Sequence, residues 1–170
     1  MDVLQLDYIL DLLKYRELTL FRQLTTFLQK RTKEDKANSF EVLMFESSDL
    51  VQNLAQAYGE RQALQFCIDS LATMKCGGVK ATFELIFKIY AVDIILRDLG
   101  FYLAEGIISQ VAAQGATKAM PEMIKELAKK TGPIIENMNV PVHALHTPII
   151  SDYVKYNEGH HYGEVVQAKL

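Results

Sequence analysis

The chain has 170 residues, 49% of them hydrophobic and 23% charged, which are the proportions of one ordinary globular domain rather than of a disordered or membrane-embedded polymer. Its net charge of −3 comes without any run of Lys and Arg; Lys30, Arg31, Lys33 and Lys36 alternate with Glu34 and Asp35 as a solvated turn, so no nucleic-acid partner is expected. Charges break every apolar run before a bilayer-spanning length, and Asp2, Asp7 and Asp11 stand where a secretory signal would need a basic region and an apolar core, so the expectation is an intracellular protein without membrane insertion.

Apolar residues recur at three- and four-residue steps and hardly ever alternate, which predicts an all-α fold. In the first helix, roughly residues 3–31, Leu6, Leu13, Leu20 and Phe27 form one ladder, with Leu10 and Leu24 on its companion. A second helix over roughly 39–75 carries Leu43, Leu50, Ala57, Leu64 and Leu71, with Phe40, Leu54 and Ile68 beside them, and Gly77-Gly78 is expected to stop it. The third, roughly 79–112, is apolar on nearly every side around Phe83, Phe87, Tyr90 and Ile94, as a helix buried on several faces would be. A fourth is expected over roughly 119–138, with Pro121 in its first turn and a bend near Gly132-Pro133. Together these give an antiparallel four-helix bundle over residues 1–139. Residues 140–170 lose the helical period and read as an irregular arm. Its Val142, Leu145, Ile149, Ile150, Tyr153 and Tyr156 are expected to pack on the bundle or on a neighbouring chain.

Charges interrupt the ladders at four places. Glu17 lies in line with Leu10 and Leu24, Arg61 with Leu54 and Ile68, and Asp93 and Arg97 fall on the ladders of the third helix. Pointing inward, they should pair, Glu17 with Arg61 between helices and Asp93 with Arg97 one turn apart, as a polar network that sets register. Catalysis by these charges is the less favoured reading, because no nucleophile or cofactor motif accompanies them. There is no G-x-G-x-x-G after a strand, no Walker-type G-x-x-x-x-G-K-[ST] and no G-x-S-x-G. Cys67 and Cys76 are too few for a disulfide framework or a four-cysteine zinc site. A di-iron bundle needs two inward Glu-x-x-His pairs, and the single match, Glu158 to His161, sits in the glycine-bearing tail. His143 and His146 have no Cys or carboxylate beside them in sequence, so no metal site is expected, and the roles of His160 and His161 stay open.

The last three residues, Ala168-Lys169-Leu170, fit the small-basic-leucine pattern read by the peroxisomal import receptor. The order of four segments adds to this: "LQLDYILDLLKYRELTLFRQLTTFLQKR", "LVQNLAQAYGERQALQFCIDSL", "IFKIYAVDIILRDLGFYLAEGIIS" and "NVPVHALHTPIISDYVKYNEGHHYGEV". This order resembles the C-terminal helical domain of acyl-CoA oxidases, through Arg16-Glu17, Tyr58-Gly59-Glu60-Arg61, Arg97-Asp98-Leu99-Gly100-Phe101 and the closing Pro148-Ile149, Asp152, Val154, Tyr156 and Asn157. The resemblance implies a peroxisomal enzyme of fatty acid β-oxidation that uses FAD to convert a fatty acyl-CoA into a trans-2-enoyl-CoA, with reoxidation by oxygen giving hydrogen peroxide. It also implies that the catalytic base and most flavin contacts belong to domains ahead of this one. No catalytic, cofactor-binding or metal residue is therefore assigned, and the chain alone is expected to be inactive. Its expected partners are the remaining oxidase domains, a second subunit in a homodimer, and the import receptor. The alternative is a stand-alone helical protein-interaction module of the peroxisome.

Overall fold

The computed structural model describes residues 4–141 and, beyond them, Val154. Among the described residues it is helical without a strand, built from seven α-helices and two π-helical turns. The chain divides into two compact units, Met1–Lys129 and Lys130–Leu170.

In the first unit, α1 (Leu6–Gln29) carries Asp7 in its first turn, where a carboxylate complements the positive helix end. It buries Leu10, Leu13 and Leu24 of the expected ladders, leaves Leu6, Leu20 and Phe27 half-buried, and adds Ile9, Leu12 and Arg16 to the buried face. The helix widens into a π turn over Lys30–Glu34, closed by the Asp35 N–H donating to the Lys30 carbonyl (3.2 Å). The chain then turns away through Lys36, which takes a left-handed φ of 56°.

The expected second helix is three pieces. A short α2 (Ser39–Glu41) is capped by Asn38, whose side chain accepts the Phe40 N–H (2.9 Å). A π turn (Val42–Glu46) follows, and α3 (Ser48–Thr73) completes the segment. A π turn holds one residue more than an α turn, so the ladder slips there. Ala57, Leu64 and Leu71 are buried as expected, but ahead of Ser47 it is Val42 that is buried, while Phe40 and Leu43 point outward.

Glycine does not stop this helix. Met74 turns extended (ψ 123°) after Thr73, Cys76 is the extended residue before α4 (Gly77–Arg97), and Gly77-Gly78 form the first turn of α4. The expected third helix also divides: Asp98 (φ −117°, ψ 30°) separates α4 from α5 (Leu99–Ala104), and Gly106 at φ +68° ends the segment. Positive φ is a conformation glycine adopts without Cβ strain. Then α6 (Gln110–Ala128) opens at Ser109, whose hydroxyl accepts the Ala112 N–H (3.2 Å). Pro121 therefore lies inside α6 and not in a first turn. The serine cap starts this helix well ahead of its expected position, in a stretch of Ala, Gln and Gly that carries little apolar period.

Arg31 meets Glu46 while Arg16 meets Glu60, so residue number rises along α1 as it falls along α3, and these two helices are antiparallel. The short connection at Met74–Cys76 returns α4 along α3, and α4 also packs on α1 and α6. The core is formed by Leu13, Leu64, Ile94, Ile95, Tyr102 and Ile108 with their neighbours.

In the second unit, α7 (Thr131–Asn137) carries Pro133 in its first turn, where a helix has no use for the missing N–H. Asn139 takes a left-handed φ of 48° after its end. The expected bundle packing of the arm, its four histidines, Glu158, and Ala168-Lys169-Leu170 lie outside the described residues.

Candidate functional site

The helical period that buries Leu13 also buries the residue three further on, and that residue is Arg16, only 7% exposed. A buried guanidinium needs compensating charge from every direction it can reach. Arg16 Nη1 donates to Glu60 Oε2 of α3 (2.6 Å), and Arg16 Nε lies 2.7 Å from Asp98 Oδ2 at the break between α4 and α5. The Nε–H does not aim along that second contact, so it is an ion pair by distance and not an aligned hydrogen bond. Glu60 is equally enclosed. Its Oε1 accepts from Gln56 Nε2 (2.9 Å) and lies 3.3 Å from Arg97 Nη2, and Arg97 Nε in turn donates to Asp93 Oδ2 (3.0 Å). One chain of alternating charges thus ties α1, α3 and α4 together at a single level.

Tyr102 of α5 reaches the same level and is wholly buried. Its hydroxyl lies beside Arg16 without a well-aligned hydrogen bond. Burial pushes the phenol well above its ordinary range, and the Arg16 charge offsets only part of that. The group stays protonated and neutral at any physiological pH.

One step along both helices is a second pair. Arg61 Nε and Nη2 donate to the two oxygens of Glu17 (2.5 and 3.1 Å), a bidentate fork that raises the arginine pKa further. The guanidinium also stacks 5.1 Å from the centre of the Tyr58 ring.

Of the four charges expected to point inward, Glu17 meets Arg61 and Asp93 meets Arg97. Asp93 and Arg97, however, do not point inward: their side chains are 53% and 51% exposed. Ala91, Val92, Ile94 and Ile95 occupy the core face of α4, which leaves this pair on its outer edge. The most enclosed charges are Arg16, which is buried, and Glu60, whose side chain is 11% exposed, and ladder reasoning did not single them out. The signal was present, since Arg16 falls three after Leu13 and four before Leu20, and Glu60 falls three after Ala57 and four before Leu64.

Every charge in this layer is engaged by another, which suits a device that fixes helix register rather than one that moves a proton. The two buried polar atoms without an aligned partner, Tyr102 Oη and Arg16 Nε, are enclosed by packed side chains. The depression between α5 and α6 over Leu99, Leu103 and Ala113 is open to solvent. Among the described residues no group of three His, Cys, Asp and Glu is placed to hold a metal ion, and no helix is long and apolar enough to cross a membrane.

Set against known families, residues 5–150 match the one described as acyl-CoA oxidase. No curated protein and no solved structure matches the chain.

Proposed function

The chain belongs to the acyl-CoA oxidase family, and we propose that it serves a complete oxidase as its C-terminal structural and dimerisation domain. The complete enzyme would oxidise a fatty acyl-CoA to the trans-2-enoyl-CoA, and its FAD would accept the hydride from the β-carbon and pass the electrons to oxygen as hydrogen peroxide. The carboxylate base and most of the flavin contacts would come from other domains. This chain's residues would hold the helical body that those domains rest on. Ala168-Lys169-Leu170 would direct the enzyme to the peroxisome through the import receptor. What carries the reading is the family match across residues 5–150, joined to a charged layer whose members are spent on one another.

The test uses the native polypeptide from its source cells: intact mass, visible absorbance, and peroxide release on addition of a fatty acyl-CoA. A longer, yellow species that releases peroxide is expected, while the 170-residue chain alone should release none. The exposed Phe40, Leu43, Met44 and Phe45 favour a second reading, a stand-alone interaction module of the peroxisome; a colourless native polypeptide of 19.3 kDa without activity would leave that module or a processed piece that docks on a catalytic partner. Removing Leu170 from a tagged protein should leave it in the cytosol, and undisturbed punctate localisation would sink the targeting role.

A further inference from the structure

Two helical registers compete ahead of α3. In a regular helix Phe40, Leu43, Ser47, Leu50, Leu54 and Ala57 step by three and four along one face, so the sequence writes an unbroken stripe through this point. The structure follows that stripe only from Ser47 onward. Ser47 is buried, and its N–H and hydroxyl both donate to the Val42 carbonyl five residues back (2.9 Å each), where a regular helix would carry the N–H to the Leu43 carbonyl. The extra residue turns the segment ahead of Ser47 by about 100°. Val42 therefore enters the core, while Leu43 and Phe40, the next two residues of the stripe, are left 37% and 63% exposed.

Each arrangement buries apolar surface that the other exposes. The π turn keeps Val42 in the core and is closed from α1 by Arg31, whose Nε and Nη2 donate to the two oxygens of Glu46 (2.7 and 2.9 Å), a pair exposed enough to be worth little. The regular helix keeps the Ser47 N–H bonded and buries Leu43 and Phe40, both larger than Val42. Only the short connection through Lys36, already left-handed at φ 56°, and the Asn38 cap stands between this segment and α1, so a change of register stays local.

We propose that the segment ahead of Ser47 is a two-position register switch. In the π position Val42 is core and Leu43 and Phe40 are surface; in the regular α position Leu43 and Phe40 turn in and Val42 turns out. The Ser47 N–H changes its acceptor from the Val42 to the Leu43 carbonyl, and the packed part of α3 from Ser47 onward stays where it is. The position taken sets how much apolar surface this end of the α1–α3 pair presents, so anything that favours one exposure over the other shifts the population. The inference concerns the 170-residue chain itself and does not depend on the oxidase reading.

The experiment reads solvent access at single side chains by nuclear magnetic resonance, as the relaxation that a soluble gadolinium chelate adds to the Leu43 methyl and Phe40 ring signals of the 170-residue chain. In the wild type both should relax as exposed groups. Val42→Ala weakens the π position alone, by about tenfold or more in population for two buried methyl groups, so Leu43 and Phe40 should become shielded. Adding Leu43→Ala removes the side chain that the α position buries, and the Phe40 ring should return to solvent. Val42→Thr keeps the shape and carries a hydroxyl that the core disfavours, and it gives the same reading if the alanine variant does not fold. Leu43 and Phe40 as exposed in the Val42 variant as in the wild type, or a Phe40 ring that stays shielded in the double variant, would overturn the proposal.

Discussion

Replacing Arg16 with Met separates a buried charge network from a decorative one. The substitution keeps most of the side-chain volume and removes the cation between Glu60 and Asp98. Truncating one partner of a buried pair typically costs about 3–5 kcal/mol, because the other charge is left in low dielectric. Two features reduce this. Glu60 keeps the Arg97 contact at 3.3 Å and the Gln56 hydrogen bond at 2.9 Å, and Asp98, 39% exposed, returns to water at little cost. The loss expected for Arg16→Met is therefore about 2–4 kcal/mol, a fall in Tm on the order of 5–15 °C for a chain of this size. Arg97→Met, at a guanidinium half in solvent, should cost at most about 1 kcal/mol. Joining Glu60→Met to Arg16→Met should recover part of the loss, since a matched apolar pair replaces a stranded charge. Urea and thermal unfolding of the wild type and the three variants decide the matter. Equal losses at Arg16 and Arg97, or no recovery in the double variant, would refute the idea that this layer is a coupled, buried network.

Tyr102 makes stability depend on alkaline pH: its pKa is raised in the folded state, so the stabilisation is complete below the unfolded value of 10.0 and falls as pH rises above it, by about 1.4 kcal/mol per pH unit. Tyr102→Phe should remove that component of the alkaline slope, and an unchanged slope in unfolding curves between pH 9 and 11 would contradict it. Glu84 is held below 4.5 by Lys88, so its contribution is present above that pH and disappears on acidification, and Lys88→Met should make the acid limb of the stability profile shallower. Cys76 is exposed whereas burial raises the Cys67 thiol, so iodoacetamide at pH 8 should label Cys76 first; equal rates by peptide mass mapping would show that α3 opens there. Pro121 denies the Thr117 carbonyl its partner within α6, so Pro121→Ala should stabilise by about 1–3 kcal/mol, and a lower Tm would mean that the proline's geometry is required.

What could be read from the sequence was whatever rests on period. Leu10, Leu13 and Leu24 of α1 and the Ala57, Leu64 and Leu71 ladder of α3 follow from steps of seven, and the pairing of Glu17 with Arg61 follows from two charges on facing ladders. What could not be read depends on events shorter than a helical turn. An inserted residue at Val42–Glu46 has no composition of its own and shows only after Ser47 is seen to bond back to the Val42 carbonyl. The start of α6 hung on one serine hydroxyl in a stretch too rich in Ala, Gln and Gly to carry a stripe. Gly77-Gly78 misled because glycine both ends helices and tolerates their first turn, and the decision fell to the extended backbone of Met74 and Cys76.

The candidate site shows the same division in sharper form. A period argument finds a charge where a Leu should be, and so it found Glu17 and Arg61. It does not single out Arg16 and Glu60, because each stands beside the charge that breaks the ladder, Arg16 before Glu17 and Glu60 before Arg61. The structure uses both members of each doublet. The first of each doublet goes to the buried layer with Asp98 and Arg97, and the second to the outer fork. Two adjacent residues on a helix point about 100° apart, so a doublet on α1 facing a doublet on α3 fixes rotation as well as register, which no single pair can do. The two doublets therefore constrain α1 and α3 against sliding and against turning, which is an architectural use of four charges.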